Sequence, residues 1–407
     1  VSRIVVATSF PVSPARGGGQ MRVLGLYGAL ARLGVEVDVV ALVDRHEPRR
    51  TRELAPGLRE TRVPKTAAHN AAEARLVERA GLPMTDIGLA LHHELTPGYG
   101  DAVAALADGA AAVVACHPFA GPVLAARADA PLVYEAQDVE LDLKTTMLAG
   151  AGDSADLLAT VEEAERRCCR AAAQVLVCAP EDAARLGELY GLPEERAVVV
   201  PNGVDPDEMP FVGLEARRSR QRRLGLAGRP HVAFVGSWHE PNLVAVRDVI
   251  DAAGALPDAR FVVLGSAGLA FRGRDVPANV DLCGIVAPGF VAEVLGIVDA
   301  AANPMRWGSG TNLKMLDYAL AGAPIVSTEF GARGLGLVAR RDFAPAGPDD
   351  LAAALERLFA EDDDAVAARV DAARERTVTD FSWAAIAARW HADERFAALL
   401  DGAVAVR

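Results

Sequence analysis

The chain is short of cysteine, of long apolar runs and of positive charge, and each shortage removes a class of protein. Its 407 residues include five cysteines, Cys116, Cys168, Cys169, Cys178 and Cys283. No two of them have the CxxC spacing of a zinc site or a redox pair, so they read as reduced, partly buried thiols. No apolar stretch approaches the ~18 residues that cross a bilayer, so no transmembrane segment is expected. A β-rich run starts within three residues of the N-terminus, with no charged-then-apolar leader before it, and the expected location is cytoplasmic. Forty-two basic against 55 acidic side chains leave a formal net charge of −13. Long-range electrostatics therefore oppose nucleic acid and anionic membranes, while a local basic pocket stays open. The one dense basic run, Arg217, Arg218, Arg220, Arg222 and Arg223, reads as a solvated helix face. No metal site is expected, because His92-His93-Glu94 lacks a partner motif and adjacent histidines rarely face one ion.

What the chain does have is alternation. Short β-rich runs at 3–8, 35–43, 112–116, 132–135, 175–178 and 197–200 are separated by Ala/Leu/Arg helices such as 21–33 and 154–173. The stretch 46–110 is less regular, carries Pro56, Pro64, Pro83 and Pro97, and reads as helices and loops outside the main sheet. The programme then restarts with strands at 231–235, 260–264, 280–283, 300–303, 325–328 and 342–346. This pattern predicts an α/β protein of two doubly wound, Rossmann-like domains joined near 206–228. Ligands of such sheets bind beyond the carboxyl ends of the strands, so the expected site is a cleft between the domains. A final apolar-periodic segment, 381–400, is read as a helix that packs back across the hinge.

Residues 303–328 carry the most chemistry. A small-residue loop, Gly308-Ser309-Gly310-Thr311, runs into a helix that stops at Gly322 before a β-branched strand. Glycines admit a ligand close to the backbone, and free amides at a helix start attract anions. With Arg306 and Lys314 flanking the loop, the arrangement suits a diphosphate, although Lys314 alternatively points to solvent. Gly17-Gly18-Gly19 precedes a helix carrying Arg22 and reads either as a flexible turn or as a backbone that closes over a ligand. His117 lies just past a strand end, where it is either structural or a contact for a sugar hydroxyl or phosphate. Glu135, Asp138 and Glu140 form an acidic cluster that is either acceptor-binding or a solvated loop.

Taken in order, these pieces resemble the GT-B glycosyltransferases and, within them, glycosyltransferase family 4. Gly17-Gly18-Gly19-Gln20-Met21-Arg22 looks like the family's amino-terminal glycine loop, and Cys116-His117-Pro118 like its strand-end histidine. Val200-Pro201-Asn202-Gly203-Val204-Asp205 matches the signature before the linker. Phe234-Val235-Gly236-Ser237, then Pro241-Asn242, opens the second domain in the family manner. The resemblance implies an acceptor-binding domain over 1–205, a nucleotide-sugar-binding domain over 206–380, and a C-terminal helix over 381–407 packing back toward the first. It implies a retaining, metal-independent, hexosyltransferase-like enzyme. The donor, a UDP- or GDP-linked sugar, would be a substrate, with no cofactor bound permanently.

His117, Arg306 and Lys314 would be catalytic. Gly18, Gly19, Gly236, Ser237, Ser309, Gly310, Thr311, Asn312 and Asp317 would hold the nucleotide sugar. Glu135, Asp138 and Glu140 would bind a small polar acceptor, with secondary metabolism as one setting. The sequence departs from the family pattern at Ser309 and Asp317, where glutamates are usual. It also departs at Ser237-Trp238-His239-Glu240, where an Arg/Lys pair is common, and at Gln137 in place of a histidine. A nucleotide-sugar epimerase, a phosphorylase or a non-catalytic nucleotide-sugar binder are the alternative readings on this fold.

Overall fold

The computed structural model describes residues 2–15, 17–150, 154–308, 311–347 and 349–402. The chain divides into two compact units, Val1–Pro201 with Ile386–Arg407, and Asn202–Ala385. Each is built on one sheet, because runs such as Ile4-Val5-Val6 and Val232-Ala233-Phe234 are apolar on both faces and need a helical layer on each side. Those six residues are at most 1% exposed. Among the described residues no helix is long and apolar enough to cross a membrane.

The first sheet has eight strands: β1 (Arg3–Thr8), β2 (Glu36–Val43), β3 (Arg50–Ala55), β4 (Leu58–Pro64), β5 (Ala112–Cys116), β6 (Leu132–Ala136), β7 (Gln174–Val177) and β8 (Ala197–Val199). Their spatial order is β3-β4-β2-β1-β5-β6-β7-β8. Every pairing is parallel except β3 against β4. The reading of 46–110 as helices and loops outside the sheet is corrected here, since β4 pairs with β2 along seven residues. Its inward positions are Leu58, Glu60 and Arg62, and the two charged ones are 0% and 4% exposed. The run carries no apolar alternation because Glu60 and Arg62 neutralise each other inside, with Arg62 Nε 2.9 Å from Glu60 Oε2.

The second sheet is parallel throughout: β9 (His231–Val235), β10 (Arg260–Leu264), β11 (Val280–Gly284), β12 (Ala300–Asn303), β13 (Ile325–Ser327) and β14 (Ala344–Pro345). The order is β11-β10-β9-β12-β13-β14. The basic run is also corrected. On the helix Leu214–Leu224, Arg217 is fully buried, although Arg222 and Arg223 are exposed. Its guanidinium donates to the carbonyls of Leu295 (2.5 Å), Val298 (2.9 Å) and Ala321 (3.2 Å). Leu295 and Ala321 end the helices Pro288–Leu295 and Lys314–Ala321, whose last carbonyls have no partner within the helix. Burial pulls the Arg217 pKa down to about 10.

The last segment is two helices, Trp383–His391 and Glu394–Leu400, and not the single one expected over 381–400. The chain breaks where Asp393 turns to cap the second helix, its Oδ1 accepting from the Arg395 and Phe396 amides at 3.1 Å. Trp390 anchors this end in the first unit, stacked on Phe396 with its indole N–H 2.9 Å from Gln174 Oε1.

Candidate functional site

Each sheet reverses its winding once, between β1 and β5 in the first and between β9 and β12 in the second. Crevices open at the carboxyl ends of strands at such points. At the second one, β9 runs out through Gly236-Ser237. A Cβ on Gly236 would lie 2.7 Å from the Phe234 ring, and one on Gly265 would lie 2.3 Å from the Gly236 carbonyl oxygen. Both positions therefore need glycine. Asn242, at the start of the helix Glu240–Ala255, donates to the Ser237 carbonyl (3.0 Å). Its other face accepts from Lys314 Nζ at 2.6 Å, so one carboxamide bridges the exits of β9 and β12.

Lys314 opens the helix Lys314–Ala321 and lies over the Phe234 ring, 4.7 Å from its centre. The helix ends at Gly322, whose φ of +72° is a left-handed cap, and a Cβ there would lie 2.7 Å from the Val212 oxygen. Among the described residues no carboxylate pairs with Lys314, and burial lowers its pKa to about 7. Arg306 is in the opposite situation. It forks onto Asp248 (2.9 and 2.7 Å) and reaches Asp349 Oδ1 (2.7 Å), so two carboxylates already neutralise it. Thr311 Oγ1 is buried with no partner among the described residues, and Asn312 donates to the Gly331 carbonyl (3.2 Å). Burial, with Glu208 nearby, raises the Asp317 pKa to about 7. Ser309 and Gly310 lie outside the described residues.

At the first reversal, β5 is followed by His117, a non-glycine residue with φ +64°. Its amide donates to the Glu135 carbonyl (3.2 Å), and Nδ1 lies 2.5 Å from Glu140 Oε1. Burial disfavours the imidazolium, but Glu140, with Asp138 and Glu135, outweighs that and raises the His117 pKa. The Phe10 ring meets the imidazole edge-on at 6.0 Å. Gly19 closes against the same wall, because a Cβ there would lie 2.9 Å from Gln137 Oε1 and 3.5 Å from Phe10, whereas Gly17 and Gly18 have open space. Asp138 is raised to about 6 by burial and by Glu140. Glu135 is wholly enclosed, accepting from Arg22 Nε (2.7 Å) and Tyr27 OH (2.8 Å), so its carboxylate anchors Arg22 and does not face an acceptor. The loop between β1 and the glycines is braced from β3 and β4. Glu60 accepts from the Val12 amide (2.7 Å), and Arg52 and Arg62 both donate to the Ser13 carbonyl.

Over 410 aligned positions the chain is 30% identical to a D-inositol 3-phosphate glycosyltransferase of Xylanimonas cellulosilytica, covering 95% of this chain and 91% of that protein. Residues 16–208 match the model of Glycosyltransferase Family 4, and residues 229–361 that of glycosyl transferases group 1. The chain belongs to glycosyltransferase family 4. This family 4 chain is also 27% identical, over 274 residues, to a glycogen synthase of Mycobacterium tuberculosis, and spans 61% of that protein's length. Its fold is shared with sucrose-phosphate synthase from Thermosynechococcus elongatus, with a TM-score of 0.74, 18% identity and coverage of 99% and 100% of the two chains. Anabaena HepE, in complex with UDP and glucose, matches at a TM-score of 0.63 and 16% identity, over 95% and 97%. The architecture is GT-B.

The family 4 frame sorts the residues singled out from the sequence. Gly236, Ser237, Thr311, Asn312, Lys314 and Asp317 lie around the second reversal, and Gly18, Gly19, His117, Asp138 and Glu140 around the first. Arg306 follows β12 and is paired with two carboxylates, Asp248 and Asp349. Sequence reasoning missed three contributors: Asn242 as the bridge to Lys314, Glu60 behind the glycine loop, and Glu165, which accepts from the Glu140 amide at 2.7 Å. Asn242 alone left a trace, in the Pro241-Asn242 pair that opens the second unit.

Proposed function

We propose that this chain is a retaining glycosyltransferase that moves a sugar from a nucleoside diphosphate to a small polar acceptor. One observation carries the reading. Lys314 is a partly enclosed amine at the reversal of the second sheet, met by a carboxamide and an aromatic face and, among the described residues, by no carboxylate. A group of that kind is incomplete until an anion arrives. A departing nucleoside diphosphate supplies one, and a preorganised cation stabilises the charge as it develops. Thr311 Oγ1, buried and unpartnered among the described residues, is a further donor beside the start of the same helix. Arg306, first read beside Lys314 as a catalytic cation, is left out of this mechanism because Asp248 and Asp349 hold it.

His117 at the other reversal suits contact with the transferred sugar, and Asp138 suits the acceptor. Retention follows the family resemblance, with attack from the face the diphosphate leaves and no metal required. HepE was crystallised with UDP and glucose, which supports a UDP-sugar as the first donor to test. The inositol phosphate named for the D-inositol 3-phosphate glycosyltransferase supports a polyhydroxylated acceptor.

The test is incubation with UDP- and GDP-sugars and a panel of polyols, reading diphosphate release and the anomeric configuration of the product by NMR. Acceptor-dependent release with retained configuration is expected. Isomerised donor without acceptor, dependence on inorganic phosphate, or donor binding with no turnover across the panel would each overturn the reading.

A further inference from the structure

Glu140 begins the helix Glu140–Met147, and the residue before it, Val139, has no side-chain oxygen to cap the first amides. A different helix supplies one. Glu165, on Ala155–Ala171, accepts from the Glu140 amide at 2.7 Å and from the Leu141 amide at 3.2 Å. The same carboxylate accepts from Tyr134 OH (3.1 Å) and Tyr190 OH (2.8 Å), so four donors hold it in a fully buried position. The charge of Glu165 also suits a helix N-terminus. The first turn of the Glu140 helix is thereby fixed, and with it the place of the Glu140 side chain.

That side chain is 2% exposed. One oxygen meets His117 Nδ1, and the other is enclosed with no partner among the described residues. Neither is open to an acceptor hydroxyl, so Glu140 lies behind the histidine and does not stand beside the acceptor. We propose that Glu140, held in place by Glu165, is the positioning residue of His117, keeping a proton on Nδ1 and leaving Nε2 for the ligand. A carboxylate can only accept, which forces the proton to Nδ1. Nε2 then accepts from a sugar hydroxyl when the ring is neutral and donates when it is charged. The consequence for turnover rests on the glycosyl-transfer reading, whereas the proton assignment does not.

The test is nitrogen-15 NMR of histidine-labelled protein, free of ligands, for the wild type, Glu140→Gln and Glu165→Gln. The charged groups around His117 are Glu140, Asp138 and Glu135. Those around the carboxyls at 138 and 140 are Glu165, Asp182 from Pro180–Tyr190, and Lys144. In the wild type, neutral His117 is expected to show a protonated Nδ1 and a bare Nε2, with its titration above that of an ordinary histidine. Glu140→Gln is expected to move that titration down, and Glu165→Gln to move it part of the way. In turnover, Glu140→Gln is expected to lower kcat between about tenfold and a hundredfold with the donor KM little changed, and Glu140→Asp to recover part of the loss.

A neutral His117 protonated on Nε2, or an unchanged titration in Glu140→Gln, would overturn the proposal. Should Glu165→Gln fail to fold, the wild-type spectrum and Glu140→Gln decide alone. Full transfer activity in His117→Ala would instead remove His117 from the reaction, while the spectrum still decides the proton's place.

Discussion

His117 and Lys314 occupy corresponding places, each beside the point where a parallel sheet reverses its winding, and they differ in what surrounds them. His117 has a carboxylate on Nδ1, and that carboxylate's helix is held by another carboxylate behind it. Among the described residues Lys314 has the carboxamide of Asn242 and the face of Phe234 and no carboxylate. The first site carries its own counter-charge, whereas the second has none among the described residues. The chain has three lysines, Lys65, Lys144 and Lys314. Lys65 is paired with Glu73 and Lys144 with Asp86, which makes the contrast at Lys314 sharper. Of the two cations near this reversal, burial has moved Lys314 down to about 7 whereas Asp248 holds Arg306 up, so the lysine is the side chain that can respond to an arriving anion.

The contrast breaks first at Lys314. Lys314→Ala is expected to lower kcat/KM by at least about a hundredfold, and Arg306→Ala to leave it nearly unchanged. Equal losses in steady-state assays would erase the distinction between the free and the neutralised cation. The glycine loop comes next. Gly19→Ala pushes a methyl against the end of the Gln137 side chain and is expected to be less stable than Gly18→Ala by up to about 1 kcal/mol, while Gly18→Ala enters open space and acts on donor KM alone. Equal melting temperatures for the two would show that Gly19 is not packed as described.

A smaller effect is expected from Arg306→Ala, about 1 kcal/mol of stability for a half-exposed ion pair, with no further loss when Asp248→Ala is added. Denaturant melts of the two single variants and the double variant check this. The smallest effect is a proton. Burial holds Lys314 near a pKa of about 7, and a diphosphate beside it raises that value. Nucleotide binding at about pH 8 should therefore take up part of a proton, read by calorimetry in buffers of different ionisation enthalpy and absent in Lys314→Ala. The sign for folding follows from the same shift. Between about 7 and 10.5 the unfolded chain binds the proton and the native state does not, so this group's contribution to stability increases as pH rises through that window.

Much of the architecture was legible because apolar strands such as Ile4-Val5-Val6 announce burial on both faces, and Gly322 announces the end of a helix. β4 was hidden because its buried faces are Glu60 and Arg62, a pair that looks like surface until the partners are seen together. Arg217 was misread for the same reason, since its partners are helix-end carbonyls 78 and 104 residues away. At the site, sequence located the cations but not their counter-charges. Asp248 lies 58 residues before Arg306 and Asp349 lies 43 after it, whereas Asn242 lies 72 before Lys314. Charge is a local property of the sequence, but neutralisation is a property of the fold.

The unpaired lysine has a consequence for covalent chemistry. Of the three side-chain amines, two are gripped by carboxylates, and the third is substantially free base at about pH 8, the form that attacks acylating reagents. A mild acylating agent should therefore mark Lys314 ahead of Lys65 and Lys144, and a bound nucleotide should shield it. Lysine scarcity turns this chain into one that carries its own selective handle.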